Sequence, residues 1–374
     1  MKEWKEYKFS DVLIDESISY GIVQPGFHKA NGIPIVRVNN IKNGYISTDE
    51  VLRVDESVES KYQRTRLGGG ELLITVVGSV GECAIVPSSL KGWNVARAVS
   101  VARIKSSFDT RFIKYCFRLD GVTHQLYGNT NDTVQPTLNL SLLKGIVLNL
   151  PPLPTQTAIA EILSSLDDKI DLLHRQNKTL EQLAETLFRN ESEKWKVKSE
   201  KLISFGELIK PKRGKNITKE NAIEGEFPVV AGGLEPSCYH NESNTLDTVI
   251  TISSSGANAG FVRLYQTPVW ASDCSYIDKT ATPYVYFSYV FLKINQQLLF
   301  DKQEGSAQPH VYPSHVMELE ISDFPKNLIA EFEEQVSPFF EKIKSNSRQI
   351  RTLTQLRDTL LPKLMSGEIQ VSEK

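Results

Sequence analysis

The side chains in this sequence that could do chemistry are donors to acidic or polar partners. Lys212-Arg213-Gly214-Lys215-Asn216 sets three cations and an amide around one glycine. Such a loop suits phosphate oxygens and base edges, although a solvated surface loop has the same composition. In the first 150 residues Tyr20, Arg37, Arg97 and the group Lys61, Arg64 and Arg66 offer similar donors with the same ambiguity. Asn258, in the turn after a strand, completes the candidate binding set.

A catalytic reading needs a constellation, and none is found. Gly214-Lys215-Asn216 lacks the upstream glycine and the Ser or Thr of a phosphate-binding loop. Asn149-Leu150-Pro151-Pro152 is only loosely like the Asn-Pro-Pro-aromatic loop of amino-methyltransferases, and it opens a helix. Gly68-Gly69-Gly70 reads as a flexible loop before a strand more readily than as a phosphate cradle. His310 and His315 have no Cys or carboxylate at metal-ligand spacing, so no metal site is expected. Cys83, Cys116, Cys238 and Cys274 lie far apart and read as reduced, mostly buried thiols of a cytoplasmic protein.

Composition sets the remaining bounds. Apolar residues make up 40% and charged residues 24% of 374, which describes a globular chain with room for two domains. No apolar run approaches the roughly 20 residues of a membrane span, and the first eight residues lack a signal-peptide core. The net charge of −2 is uneven. Residues 1–150 carry 18 Lys and Arg against 15 Asp and Glu, a balance of +3, whereas residues 199–325 carry 10 against 15, a balance of −5. A nucleic-acid face must therefore be local, with partner subunits supplying much of the phosphate neutralisation.

These side chains need elements to hold them, and the clearest are two long helices. From Thr155 to Phe188, Ile159, Leu163, Leu166, Ile170, Leu173, Asn177, Leu180, Ala184 and Leu187 follow at alternating steps of four and three. That is a coiled-coil seam. Phe332, Val336, Phe339, Ile343, Asn346, Ile350, Leu353, Arg357 and Leu360 repeat it 173 residues later. An order of domain, helix, domain, helix returns the second helix to the first domain, so the helices should run antiparallel. Two seam asparagines should satisfy each other. Setting Asn177 against Asn346 pairs Ile170 with Leu353, Leu173 with Ile350, Leu180 with Ile343, Leu187 with Val336 and Ala184 with Phe339. Arg357 then falls opposite Leu166 and must reach solvent or an acid such as Asp167. The second helix is expected to begin or kink near Ser337-Pro338 and to end at Leu361-Pro362.

The globular stretches repeat as well. Ile33–Val38, Leu72–Val77 and Cys83–Val86 read as strands, with Gly78-Ser79-Val80-Gly81 as a turn and Phe108–Leu119 as a helix. Thr75–Val86 matches Thr251–Val262 at an offset of 176, and Trp93 matches Trp270 at 177. Both tryptophans read as core. Gln135-Pro136 recurs as Gln308-Pro309 and Pro152 as Pro325, both at 173. A tandem duplication accounts for this order, with domains at 1–150 and 199–325 and helical segments at 151–198 and 326–374. The polar loop Asn129-Thr130-Asn131-Asp132 is mirrored by Glu304-Gly305-Ser306.

At the C-terminus, Leu356-Arg357-Asp358-Thr359-Leu360-Leu361-Pro362-Lys363-Leu364-Met365-Ser366-Gly367-Glu368-Ile369 resembles the signature of type I restriction-modification specificity subunits. So do Pro151-Pro152-Leu153-Pro154-Thr155-Gln156 and Gly70-Glu71-Leu72-Leu73-Ile74. The second domain departs from the pattern at Asp247-Thr248-Val249-Ile250-Thr251, which lacks the glycine before the acid. The first seam departs by continuing into Phe188-Arg189-Asn190-Glu191.

The resemblance implies an α+β fold of two similar target-recognition domains joined by two long antiparallel coiled-coil helices in pseudo-twofold arrangement. It implies a non-catalytic, cytoplasmic subunit whose domains each read half of a bipartite site in double-stranded DNA. The helices would set the half-site spacing and dock two methyltransferase subunits. Restriction and translocase subunits would join them, with S-adenosylmethionine and ATP held by partners. The rival reading is a coiled-coil scaffold that binds protein and not DNA, which the acidic second domain favours slightly.

Overall fold

The computed structural model describes residues 4–128, 137–196, 201–305 and 308–371. The chain forms two compact units, Met1–Ile170 with Thr352–Lys374, and Asp171–Arg351. Both divisions fall inside the long helices.

In the first unit the central sheet is antiparallel, in the order Leu13–Tyr20, Val99–Ile104, Leu72–Thr75, Cys83–Ile85. Leu72, Leu73 and Ile74 are fully buried, so this strand has no solvent face to mark with polar residues. A three-stranded sheet, Leu52–Val54, Ile33–Val36, Asn94–Val95, lies beside it in sequence order, its last pair parallel. Lys5–Lys8 pairs with Val147–Leu150 and so ties the start of the domain to the strand that feeds the first long helix. Phe112, Tyr115 and Cys116 of the helix Thr110–Cys116 join Phe9 and Leu148 in the core. Ile159 and Leu163 from the first long helix and Leu361 and Leu364 from the second complete it.

The second unit uses the same plan. Its sheet runs Lys212–Arg213, Cys274–Ile277, Val249–Ser253, Val262–Tyr265. The three-stranded sheet is Cys238–His240, Phe227–Val230, Trp270–Ala271, and the edge pair is Leu202–Ser204 with Glu320–Ser322. Hydrogen bonds fix the correspondence residue by residue. Gly81 N donates to Thr75 O at 2.9 Å and Gly260 N to Ser253 O at 2.8 Å, while Thr75 N reaches Glu82 O and Ser253 N reaches Phe261 O. Thr75 is thus equivalent to Ser253, which corrects the expected match to Thr251 by two residues. The turn adds one residue more, so the offset is 178 before it and 179 after it. Gly78 and Gly81 have φ of 77° and 90°, Gly256 and Gly260 have 79° and 88°, so the left-handed glycines recur with one more residue between them. Trp270 is level with Asn94, each pairing across a parallel ladder with the equivalent residues Val229 and Ile35. The match of Trp270 to Trp93 is therefore off by one.

The helices run Leu153–Lys196 and Lys326–Met365. The carbonyls of Pro152 and Pro325 accept the first helical amides, from Thr155 and Gln156 and from Leu328 and Ile329. The second helix passes through both Pro338 and Pro362, against the expected start and stop. Each proline leaves one carbonyl four residues back without its helical donor, at a cost of about 3 kcal/mol. Apolar burial outweighs that cost, because Phe332 and Val336 precede Pro338 and Leu364 and Met365 follow Pro362, all four buried. Gln135 and Pro136, the loop Asn129–Asp132 and Ser306 lie outside the described residues.

Candidate nucleic-acid interface and helix seam

Each unit contains its own part of the seam. In the second unit Asn346 is fully buried and its Nδ2 donates to Asn177 Oδ1 at 2.8 Å. Phe188 and Trp195 meet Phe332 with ring centroids 5.5 and 6.1 Å apart. Stepping back along one helix thus means stepping forward along the other, which is antiparallel packing. Leu173 is buried and Ile343 nearly so, whereas Leu180 and Ile350 are half-covered. Phe339, expected opposite Ala184, is half-buried against the core cluster that holds the fully buried Ala184, while its neighbour Phe340 is fully buried, stacking on Tyr286 at 4.5 Å and abutting Tyr289.

In the first unit Ile170 is 8% exposed and Leu353 half-buried. Arg357 Nη1 lies 3.0 Å from Asp167 Oδ1. The other Asp167 oxygen accepts from Tyr115 Oη at 2.7 Å, with Arg118 and Lys114 at 3.4 and 3.5 Å. Burial pushes the Asp167 carboxyl up, but Tyr115 and the three cations outweigh burial and hold it below the usual range. Burial in turn lowers the Lys114 pKa.

The candidate binding residues fall into two classes. The first is tied into the fold. The Tyr20 hydroxyl links Leu138 O and Leu140 N at the loop closing the domain. Arg66 forms a bidentate pair with the fully buried Glu59, which also accepts from Asn94 at 3.0 Å. The Arg66 guanidinium above all draws the Glu59 pKa down. Gly68 and Gly69 are likewise occupied, donating at 2.7 and 2.8 Å to the Glu71 carboxylate, so the chain's own acid fills that amide cradle.

The second class is exposed, apart from the half-buried Asn258. Lys61, Arg64 and Arg97 project from the first domain, and Arg97 makes no side-chain hydrogen bond among the described residues. Lys212 and Arg213 form the edge strand of the second domain, Lys212 Nζ lying 2.5 Å from Thr280 Oγ1. Lys215 sits over the Trp270 ring at 5.8 Å, while Asn216 Oδ1 accepts from Ser272. Asn258, in the glycine turn, reaches Gly232 O at 3.5 Å. Arg37 falls between the classes. Its Nη2 donates to Glu50 O at 2.8 Å, yet its buried Nε has no partner.

Among the described residues no group of His, Cys, Asp and Glu could hold a metal, and no helix is long and apolar enough to cross a membrane.

Residues 1–182 match the family model of the type I restriction modification DNA specificity domain. Over its first domain and most of its first long helix the chain is thus similar to type I restriction-modification specificity subunits. It is 25% identical over 342 residues to the MjaIX specificity subunit of Methanocaldococcus jannaschii, an alignment covering 81% of this chain and 78% of that one. It is also 25% identical over 237 residues to the EcoBI specificity subunit of Escherichia coli, covering 60% of this chain and about half (49%) of the relative. The crystal structure of a type I S subunit from M. genitalium superposes with a TM-score of 0.59 at 19% identity, over 97% of this chain and 96% of that one. This specificity-subunit fold is the duplicated plan described above.

Proposed function

We propose that this chain is the non-catalytic DNA-reading subunit of a type I restriction-modification complex. Each globular domain reads one half of a bipartite target, and the paired helices set the distance between halves. The observation that carries this reading is the duplication of one domain fold, each copy followed by a seam helix. The helices of 44 and 40 residues are about 66 and 60 Å long at 1.5 Å per residue. Double-stranded DNA, two methyltransferase subunits and restriction subunits are the partners of this reading. S-adenosylmethionine and ATP then bind to those partners.

The scaffold alternative predicts protein binding without DNA affinity. Titration of a duplex with the chain, alone and with its methyltransferase subunit, at about 50 and 200 mM salt separates the two readings. Binding that needs the methyltransferase subunit and weakens at least tenfold at the higher salt supports DNA recognition. Assembly with no duplex binding at either salt supports the scaffold.

A further inference from the structure

The two domains differ most where the chain leaves the strand Ile33–Val36 and its counterpart Phe227–Val230. Ala96 N donates to Val36 O and Ser272 N to Val230 O, so Arg37 corresponds to Ala231 and the next residue to Gly232. Between this point and the central hairpin the first domain has residues 37–74 and the second only 231–252. In the second domain Gly232 closes against the glycine turn: a Cβ there would come within 2.6 Å of Ser255 O. Ser253 Oγ reaches Gly232 O at 3.2 Å. In the first domain the same place is an open cleft of about 770 Å³ lined by Arg37, Val38, Lys42, Val77 and Ala98.

We propose that this cleft is a base-reading site and that Arg37 specifies a guanine in the half-target read by the first domain. This rests on the reading of the chain as a DNA-recognition subunit. Arg37 is held from several sides. Its backbone amide donates to Asn40 Oδ1 at 3.0 Å, Asn40 Nδ2 reaches Asp49 O at 3.2 Å, and Nη2 is pinned on Glu50 O. It makes no ion pair among the described residues, and its Nε–H is dry and unpartnered. Nη1 makes no hydrogen bond among the described residues, so the guanidinium keeps a free arm beside Nη2 for an acceptor entering the cleft. Guanine offers O6 and N7 side by side, the pair that a guanidinium fork recognises. Lys42 and Glu82 also line the cleft, and with Arg37 they leave it one positive charge. Asn43 and Ser79 add neutral polar groups at its rim. The second domain, with Ala231 at the equivalent position, has no guanidinium there to read a guanine in its own half.

The test is a panel of duplexes carrying the methylated target with single-base substitutions through both halves. Binding is measured with the intact complex of this chain and its methyltransferase subunit. The wild-type complex should discriminate at a guanine in one half. R37A should lose about tenfold or more of that discrimination, each good bidentate pair being worth that much, while the other half is unaffected. R37K keeps the charge without the fork and should lose the same discrimination with a smaller fall in overall affinity. Wild-type discrimination at every position in both variants would overturn the assignment, as would equal loss at all positions. A wild-type complex that binds every duplex alike would instead count against the recognition reading itself.

Discussion

The two domains share strands, turns and hydrogen bonds, yet they carry charge differently. The first, at +3 over residues 1–150, encloses a buried carboxylate among cations; the second, at −5 over residues 199–325, buries aromatic rings against its helices. In the first, Asp167 gathers Tyr115, Lys114, Arg118 and Arg357. In the second, Glu181 meets Tyr289 at 3.3 Å with no cation within ion-pairing distance among the described residues, and burial raises its pKa. One backbone plan is thus locked to the same pair of helices by opposite electrostatic means. What the copies hold in common is the geometry of attachment, and what they vary is the loops beyond the sheets.

The largest expected effect breaks the ionic lock alone. Asp167→Ala leaves three cations around an empty site, and removing one partner of a buried pair costs about 3–5 kcal/mol. Denaturant melts at neutral pH should show this loss. The folded pKa of Asp167 lies below its unfolded value. Its contribution is therefore present above about pH 4, the unfolded carboxylate value, and lost as pH falls through the folded value. The penalty of Asp167→Ala should shrink over that range, and a penalty independent of pH would mean the side chain acts by packing.

The smaller effect has the opposite sign. Glu181 has a folded pKa above its unfolded value, so its ionisation opposes folding. The stabilisation from its protonated form is complete below about pH 4.3 and lost as pH rises through the folded pKa. Glu181→Gln should be more stable than wild type at neutral pH, by less than about 1 kcal/mol given its partial exposure. The gain should vanish in melts at acid pH. If both variants move the same way with pH, the contrast between the two locks is wrong.

The attachment geometry was legible in the sequence because it is written in residues with narrow options. Pro152 and Pro325 accept the first helical amides, and the seam asparagines Asn177 and Asn346 are hydrogen-bonded. Prolines 338 and 362 misled because local propensity yields to a buried apolar row on both sides of them. The 176-residue match is off by two before the turn and by three after it, where one residue is inserted between Gly256 and Gly260, and composition reveals neither shift. Side-chain availability was the least legible feature. Arg66 and Arg97 look alike in sequence, but the buried Glu59 that holds Arg66 is found only after folding. The cleft at Arg37 was similarly hidden, since it depends on loops of unequal length at one point of the fold.

The central claim is that each domain reads its own half of one target. Its most direct test is sequencing of methylated positions in host DNA with this gene intact, deleted, or carrying Lys212→Ala with Arg213→Ala. The account predicts a bipartite methylated motif that vanishes on deletion. It also predicts that the double variant loses or relaxes one half of that motif and keeps the other. A motif that survives deletion, or one altered equally in both halves by the double variant, would contradict it.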